Sequence, residues 1–387
     1  MTVRTRWTAA TAVALSVALA GPAVAAGPAG GGGRPAGGGG HEATREAAEA
    51  AVEAGVPGVT VTAKDRRGTW SMTAGVGDLA TGRPRSARDH YRVGSVTKTF
   101  VATVLLQLEA EGRLSLDDTV ERWLPGLVRG HGHDGRAITL RRLLNHTSGV
   151  YDYTDDRTFV ETYVLADGFL KHRYDRRTPE DLIAVAMAHP PRFAPGASWS
   201  YSNTNYTLAA LVIERVTGHS YGAEVRDRIV EPLGLTGTSV PGTRPTLPRP
   251  SSRAYSKLAE DTTGPTYDVT ELNPALAFGS GDMVSTSADL GRFYSALLRG
   301  RLLPPAQLKA MKTTVTDTPI PDVDYGLGLG DITLSCGVHV WGHGGDIHGS
   351  STEAVTTADG RHTLALNVNG DWSGDTEAVV EAEFCGG

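Results

Sequence analysis

The stretch Tyr91-Arg92-Val93-Gly94-Ser95-Val96-Thr97-Lys98-Thr99-Phe100 decides how the rest of the chain is read. Ser95 follows a glycine and heads an apolar series, Phe100, Val101, Val104, Leu105 and Leu108, whose spacing predicts a buried helix ended by Gly112. Lys98 stands three residues on, so on a helix the two side chains share a face one turn apart. A serine hydroxyl is a weak nucleophile until a base takes its proton, and a lysine kept neutral by burial is such a base. The helix N-terminus adds unpaired N–H groups that favour developing negative charge. The same residues also fit an N-cap serine beside a solvent-facing lysine, so the choice depends on partners elsewhere.

Two other segments can supply those partners. Tyr201-Ser202-Asn203 is entered through Pro195-Gly196 and leads into an apolar helix over Thr204 to Val216, ended by Gly218. His343-Gly344-Gly345 sits in a run with strand character. Taken singly, Tyr201 reads as a core tyrosine, Asn203 as a helix N-cap and His343 as an ordinary strand histidine. His146, in Asn145-His146-Thr147-Ser148-Gly149, reads as structural. His131-Gly132-His133-Asp134 reads as a solvated loop, without further ligands at metal spacing. No metal and no cofactor is expected.

The surrounding pattern is α+β. A helix is expected over His41 to Ala54, then a hairpin from Val59–Ala63 and Trp70–Gly77. Helical patterns follow at Ile138 to Leu144, Phe159 to Tyr174, Pro179 to Ala188 and Ser287 to Arg299. The Pro- and Thr-rich span 241–270 reads as an irregular excursion. Strands return at Val338–Gly345, Ser351–Thr357 and His362–Val368, and Asp375 to Phe384 closes as a helix. Strands near both ends point to an antiparallel sheet built from the two termini and flanked by helices, with a mainly helical lobe of about 100–275 inserted.

The N-terminus has the form of a signal peptide over 1–25: Arg4 and Arg6, an apolar core from Ala9 to Ala20, and Ala23-Val24-Ala25 as a cleavage site. A Gly-rich linker at 26–40 follows, and 41–387 forms the folded domain. The apolar core is too short to span a bilayer, so a secreted, extracellular protein without a membrane span is expected. Removing Arg4 and Arg6 and no acid takes the formal net charge from −6 to −8, which argues against nucleic acid as a partner. The two cysteines, Cys336 and Cys385, read in an exported protein as one disulfide, or otherwise as two buried thiols.

With three motifs in this order, the chain resembles the serine β-lactamase and penicillin-binding superfamily in its class C branch. It looks most like the secreted actinobacterial D-alanyl-D-alanine carboxypeptidases. Ile138-Thr139-Leu140-Arg141-Arg142-Leu143-Leu144-Asn145-His146-Thr147-Ser148-Gly149, Phe193-Ala194-Pro195-Gly196 and Ser285-Thr286-Ser287-Ala288-Asp289-Leu290 carry the same likeness. The resemblance implies a β-lactamase/transpeptidase-like fold and a Cys336–Cys385 disulfide. It also implies a Ser95 acyl-enzyme, with Lys98 and Tyr201 sharing proton handling. Tyr201 would need its pKa lowered, with the Lys98 ammonium as the natural cause. Asn203 would bind the substrate amide and Gly345 would line the substrate strand. His343 would be a donor lining the cleft, and the backbone N–H groups of Ser95 and Asp346 would form the oxyanion hole. The implied partners are a small peptide or ester, including a peptidoglycan stem peptide, with β-lactams as covalent inhibitors of a monomer.

The chain departs from that pattern on the facing strand. Gly344 stands where the carboxypeptidases usually carry threonine, and Gly330, with Asp331 beside it, where they carry an arginine for the substrate carboxylate. Asp346 adds an acid. Recognition of a free carboxylate needs cationic or hydroxyl donors. The substitutions therefore favour an esterase or amidase on neutral acyl substrates as the alternative to a carboxypeptidase. A non-catalytic penicillin- or peptidoglycan-binding module is the third possibility.

Overall fold

The computed structural model describes residues 40–259 and 263–386; the signal segment and residues 26–39 of the linker lie outside the described residues. Seven strands form the main sheet: Gly58–Lys64 (β1), Thr69–Gly75 (β2), Val323–Tyr325 (β3), Gly330–Thr333 (β4), His339–Ile347 (β5), Ser350–Thr357 (β6) and Thr363–Val368 (β7). Their spatial order is β2-β1-β7-β6-β5-β4-β3, every neighbouring pair antiparallel. The first and last strands pair directly, with Val61 opposite Leu366, so the two ends of the domain close one sheet.

Alternation along these strands explains the two cores. Val59, Val61 and Ala63 of β1, Val340 and Val355, and Leu364, Leu366 and Val368 of β7 turn toward one face. There they bury against Ala48 and Ala51 of the helix Glu42–Glu53 (α1) and Val379 and Val380 of the C-terminal helix Thr376–Cys385. Trp341, Ala354 and Ala365 turn the other way, into the larger core of the helical lobe. The C-terminal helix is capped by Asp375, whose side chain accepts the Ala378 N–H. It is also tied down by the Cys336–Cys385 disulfide, with Cα atoms 5.8 Å apart, which joins it to the turn between β4 and β5.

The lobe is built around two buried helices, Thr97–Ala110 (α2) and Asn203–Thr217 (α3). Nearly every residue of α2 from Thr97 to Leu108 is buried, and Phe100 stacks face to face on Phe293 of the helix Ser287–Leu298 (α4). α3 ends at Gly218 in the left-handed region, φ +79°. No helix among the described residues is long and apolar enough to cross a membrane.

The antiparallel sheet, the helical insertion and, over its described residues 241–259 and 263–270, the largely irregular span match the sequence expectations. One element differs. The Phe159–Tyr174 pattern divides into two short helices, Arg157–Tyr163 and Ala166–His172. They fold back on each other at Gly168, where a Cβ would lie 1.9 Å from the Glu161 carbonyl oxygen. The helical run from Tyr221 to Leu233, the helix Pro305–Met311 and the short strands β3 and β4 carry patterns too short or too mixed for periodicity to reveal.

Candidate active site

Ser95 lies in a one-turn 3-10 helix, Gly94–Val96, that feeds directly into α2, so Lys98 is the second residue of the α-helix. The site depends on how closely this turn meets β5. Gly94 has φ +52°, and a Cβ on it would fall 2.7 Å from the Asp346 nitrogen. A Cβ on Gly345 would fall 2.1 Å from the Val93 carbonyl oxygen and 2.7 Å from the Ser95 nitrogen. Only glycine at both positions lets the two backbones touch, and the contact places the Asp346 nitrogen beside the turn that carries Ser95. β4 pairs with β5 only from His339 to Gly342, so the edge of β5 from His343 onward is left to face this turn.

Lys98 is wholly buried. Its Nζ reaches Ser95 Oγ at 2.9 Å, Asn203 Oδ1 at 2.7 Å and the Ser280 carbonyl oxygen at 2.8 Å. Burial pulls its pKa well below the ordinary value of 10.5, against the opposing charges of Asp152 and Asp282. The geometry has a stereochemical consequence. The Asn203 and Ser280 oxygens can only accept, so a neutral Lys98 spends its two hydrogens on them and turns its lone pair toward Ser95 Oγ. That is the orientation a general base requires.

Tyr201 closes the other side of the serine. Its ring lies under Lys98 Nζ, 4.7 Å from ring centroid to nitrogen, and Ser95 is the neighbouring side chain that favours its ionised form. The expectation that its pKa is lowered is corrected here. Burial raises it, the neighbouring Ser95 side chain opposes this, and the nearby charges of Asp152 and Asp346 raise it further. Tyr201 therefore holds its proton while Lys98 readily loses one.

His343 is on β5 as expected, but its ring is wholly buried. Nδ1 lies 2.5 Å from the Gly344 carbonyl oxygen and so carries hydrogen, which leaves Nε2 to accept from the Tyr325 hydroxyl at 2.8 Å. Burial and the Lys98 charge push its pKa down to about 3. In place of a donor lining the cleft, the structure has a neutral imidazole behind Tyr201, with ring centroids 6.4 Å apart. His146 is likewise buried, its Nδ1 accepting from the Ser202 N–H and Asn205 Nδ2–H, and its ring packs 4.3 Å from that of Tyr201. The His131–Asp134 segment is the turn of a short hairpin: His131 and Gly132 are exposed, as expected of a solvated loop, but His133 is buried, and both imidazoles reach the carbonyl oxygens of Met187 and His189. No cluster of metal-ligating side chains occurs among the described residues.

Ser95, Lys98, Tyr201 and Asn203 thus converge, with the Asp346 nitrogen at the adjoining strand. Three further contributors escaped sequence reasoning. The Ser280 carbonyl gives no side-chain signal at all. Tyr325 lies on a three-residue strand. Asp152 follows the Asn145–Gly149 turn closely enough to have been found as an acid beside a motif.

The model of the family described as Beta-lactamase matches residues 43–382. Among solved structures, a D-stereospecific amidohydrolase from Streptomyces sp. is 59% identical, covers 90% of this chain and 99% of its own, and superposes with a TM-score of 0.85. A D-amino acid amidase from Ochrobactrum anthropi SV3, solved with L-phenylalanine amide, is 28% identical, with coverages of 88% and 97% and a TM-score of 0.75. Penicillin-binding protein 4* of Bacillus subtilis is 28% identical over 79% of this chain, and esterase EstB of Burkholderia gladioli 36% over 46%. The chain spans 66% of the former's length and 46% of the latter's.

Proposed function

The chain belongs to the Beta-lactamase family of serine hydrolases, and on that footing we propose that it cleaves D-amino acid amides, esters and small peptides through a Ser95 acyl-enzyme. Ser95 Oγ attacks the acyl carbon as its proton passes to Lys98 Nζ. The Ser95 and Asp346 N–H groups receive the developing oxyanion. Tyr201 gives its proton to the departing nitrogen or oxygen and recovers one from Lys98. Water then reverses the sequence on the ester. Asn203, with its amide fixed between Lys98 and Asp152, borders the acyl group.

The observation that carries this reading is the charge around the serine. Asp152 and Asp346 both act on Tyr201. His343 is neutral, and the two positions where the related carboxypeptidases place carboxylate donors are Gly330 and Gly344. Such a field suits an uncharged leaving group and an acyl residue with a free ammonium, and disfavours a terminal carboxylate. The likeness to the Streptomyces amidohydrolase supports the same substrate class. Export of the protein is part of the proposal, on the strength of residues 1–25.

The test is turnover of D- and L-phenylalanine p-nitroanilide and methyl ester beside D-Ala release from an acyl-D-Ala-D-Ala peptide. Hydrolysis of the D-amide and D-ester well above their L-forms is expected. D-Ala release without cleavage of either D-substrate would establish the carboxypeptidase reading instead. Folded protein that turns over nothing and takes no fluorophosphonate at Ser95 would leave the binding module.

A further inference from the structure

Asp152 is 5% exposed and caps the one-turn helix Tyr153–Asp155, where its Oδ1 accepts the Thr154 N–H at 3.1 Å. Capping needs one acceptor, and the second oxygen is spent elsewhere. Oδ2 accepts both the backbone N–H and the side-chain Nδ2–H of Asn203, each at 3.0 Å. The far end of the same amide accepts from Lys98 Nζ. An amide has one accepting and one donating end; here the accepting end meets Lys98 Nζ, and the donating end meets Asp152 Oδ2 and, at 3.2 Å, Thr154 Oγ1. A reversed Asn203 would turn its NH2 toward an amine that must donate, and its oxygen toward a carboxylate.

We propose that Asp152 is a positioning residue for acylation: through Asn203 it aims the Lys98 lone pair at Ser95 and supplies the buried charge against which Lys98 gains and loses its proton. This rests on the reading of Lys98 as the base for Ser95. The other groups facing Lys98 do not duplicate the role. Asp282 is bound to the Tyr221 hydroxyl and Gly279 N–H, and burial lifts its pKa to about 7. His146 and His343 are held neutral by burial, and Tyr201 and Tyr206 present rings, 4.7 and 5.6 Å from Nζ. Asp155 neighbours Asp152 and, after burial, raises its pKa. Among the described residues, Asp152 is the one acid joined to Lys98 by a single intervening amide.

The experiment is the pH dependence of kcat and kcat/KM for D-phenylalanine methyl ester with the full chain and Asp152→Asn. Loss of a negative charge near Lys98 disfavours its ammonium form, so the acidic limb should move to lower pH by about one unit. Loss of aim should lower the plateau kcat by about 10² with little change in KM. Asp152→Glu should return the limb toward its wild-type position. Asp152→Ser keeps a cap acceptor while removing the charge, and serves if the asparagine variant does not fold. Folded charge-deleted variants whose acidic limb stays where the wild type has it overturn the proposal. A wild type that fluorophosphonate leaves unlabelled at Ser95 overturns the underlying base assignment instead.

Discussion

Gly345 lies so close to Ser95 that a Cβ on the glycine would stand 2.7 Å from the serine nitrogen. The obstructing atoms are backbone, including the Val93 carbonyl oxygen at 2.1 Å, so neither side can yield by rotating a side chain. Gly345→Ala must part the strand from the nucleophile turn and separate the two proposed oxyanion donors. We expect a 10²–10³-fold fall in kcat, the order seen on removing one such donor, with the far-ultraviolet circular dichroism unchanged. Burst kinetics with a p-nitrophenyl ester, read beside the spectrum, check this.

Lys98 sets the pH dependence of the wild type. Burial lowers its pKa in the folded protein, so the neutral base gains population as pH rises, at values well below the ordinary 10.5. Plots of kcat/KM against pH should therefore climb along an acidic limb far under pH 10 and then level. The same depression also bears on stability. The unfolded chain binds the lysine proton more tightly, so this group's contribution to stability rises with pH between the lowered value and 10.5. Lys98→Met should abolish the limb and lower acylation by about 10²–10⁴.

Phe100 anchors the nucleophile helix. It is wholly buried and stacked on Phe293, with ring centroids 3.7 Å apart. Phe100→Ala should cost about 3–5 kcal/mol of unfolding free energy, as core aromatic deletions do. Urea denaturation followed by tryptophan fluorescence measures it.

The Cys336–Cys385 disulfide closes a loop with a sequence separation of 49. On the chain-entropy account such a loop contributes about 4 kcal/mol. Cys336→Ser with Cys385→Ser should lower the Tm while leaving kcat per folded molecule unchanged, because the bond lies on the α1 side of the sheet, against the core of Val340 and Val380. Calorimetry and active-site titration separate the two effects.

Much of the site was legible because its side chains belong to short, punctuated motifs. Spacing alone left Ser95 and Lys98 open to an N-cap reading and Tyr201 and Asn203 to structural ones; the three motifs occurring together, and the resemblance they carry, singled them out. The sheet was legible from alternation near both ends. What escaped depended on burial and on backbone. Tyr201 looked like a group whose pKa a lysine would lower, and only its burial between Lys98, His146 and the acids shows the opposite. His343 looked like a cleft donor because nothing in the sequence shows that Tyr325 will meet its Nε2. Ser280 acts through its carbonyl, which every residue has.

The pairing of β1 with β7 sets an order of events for a newly made chain. The first hairpin, complete by residue 75, has an open edge until residues 363–368 are present to cover it. Ser95 likewise lacks its proposed second oxyanion donor until Asp346 has been added, some 250 residues later. A chain leaving the ribosome N-terminus first thus carries its serine and lysine without a working site until those residues follow. Reactivity arrives only with the strands that complete the sheet.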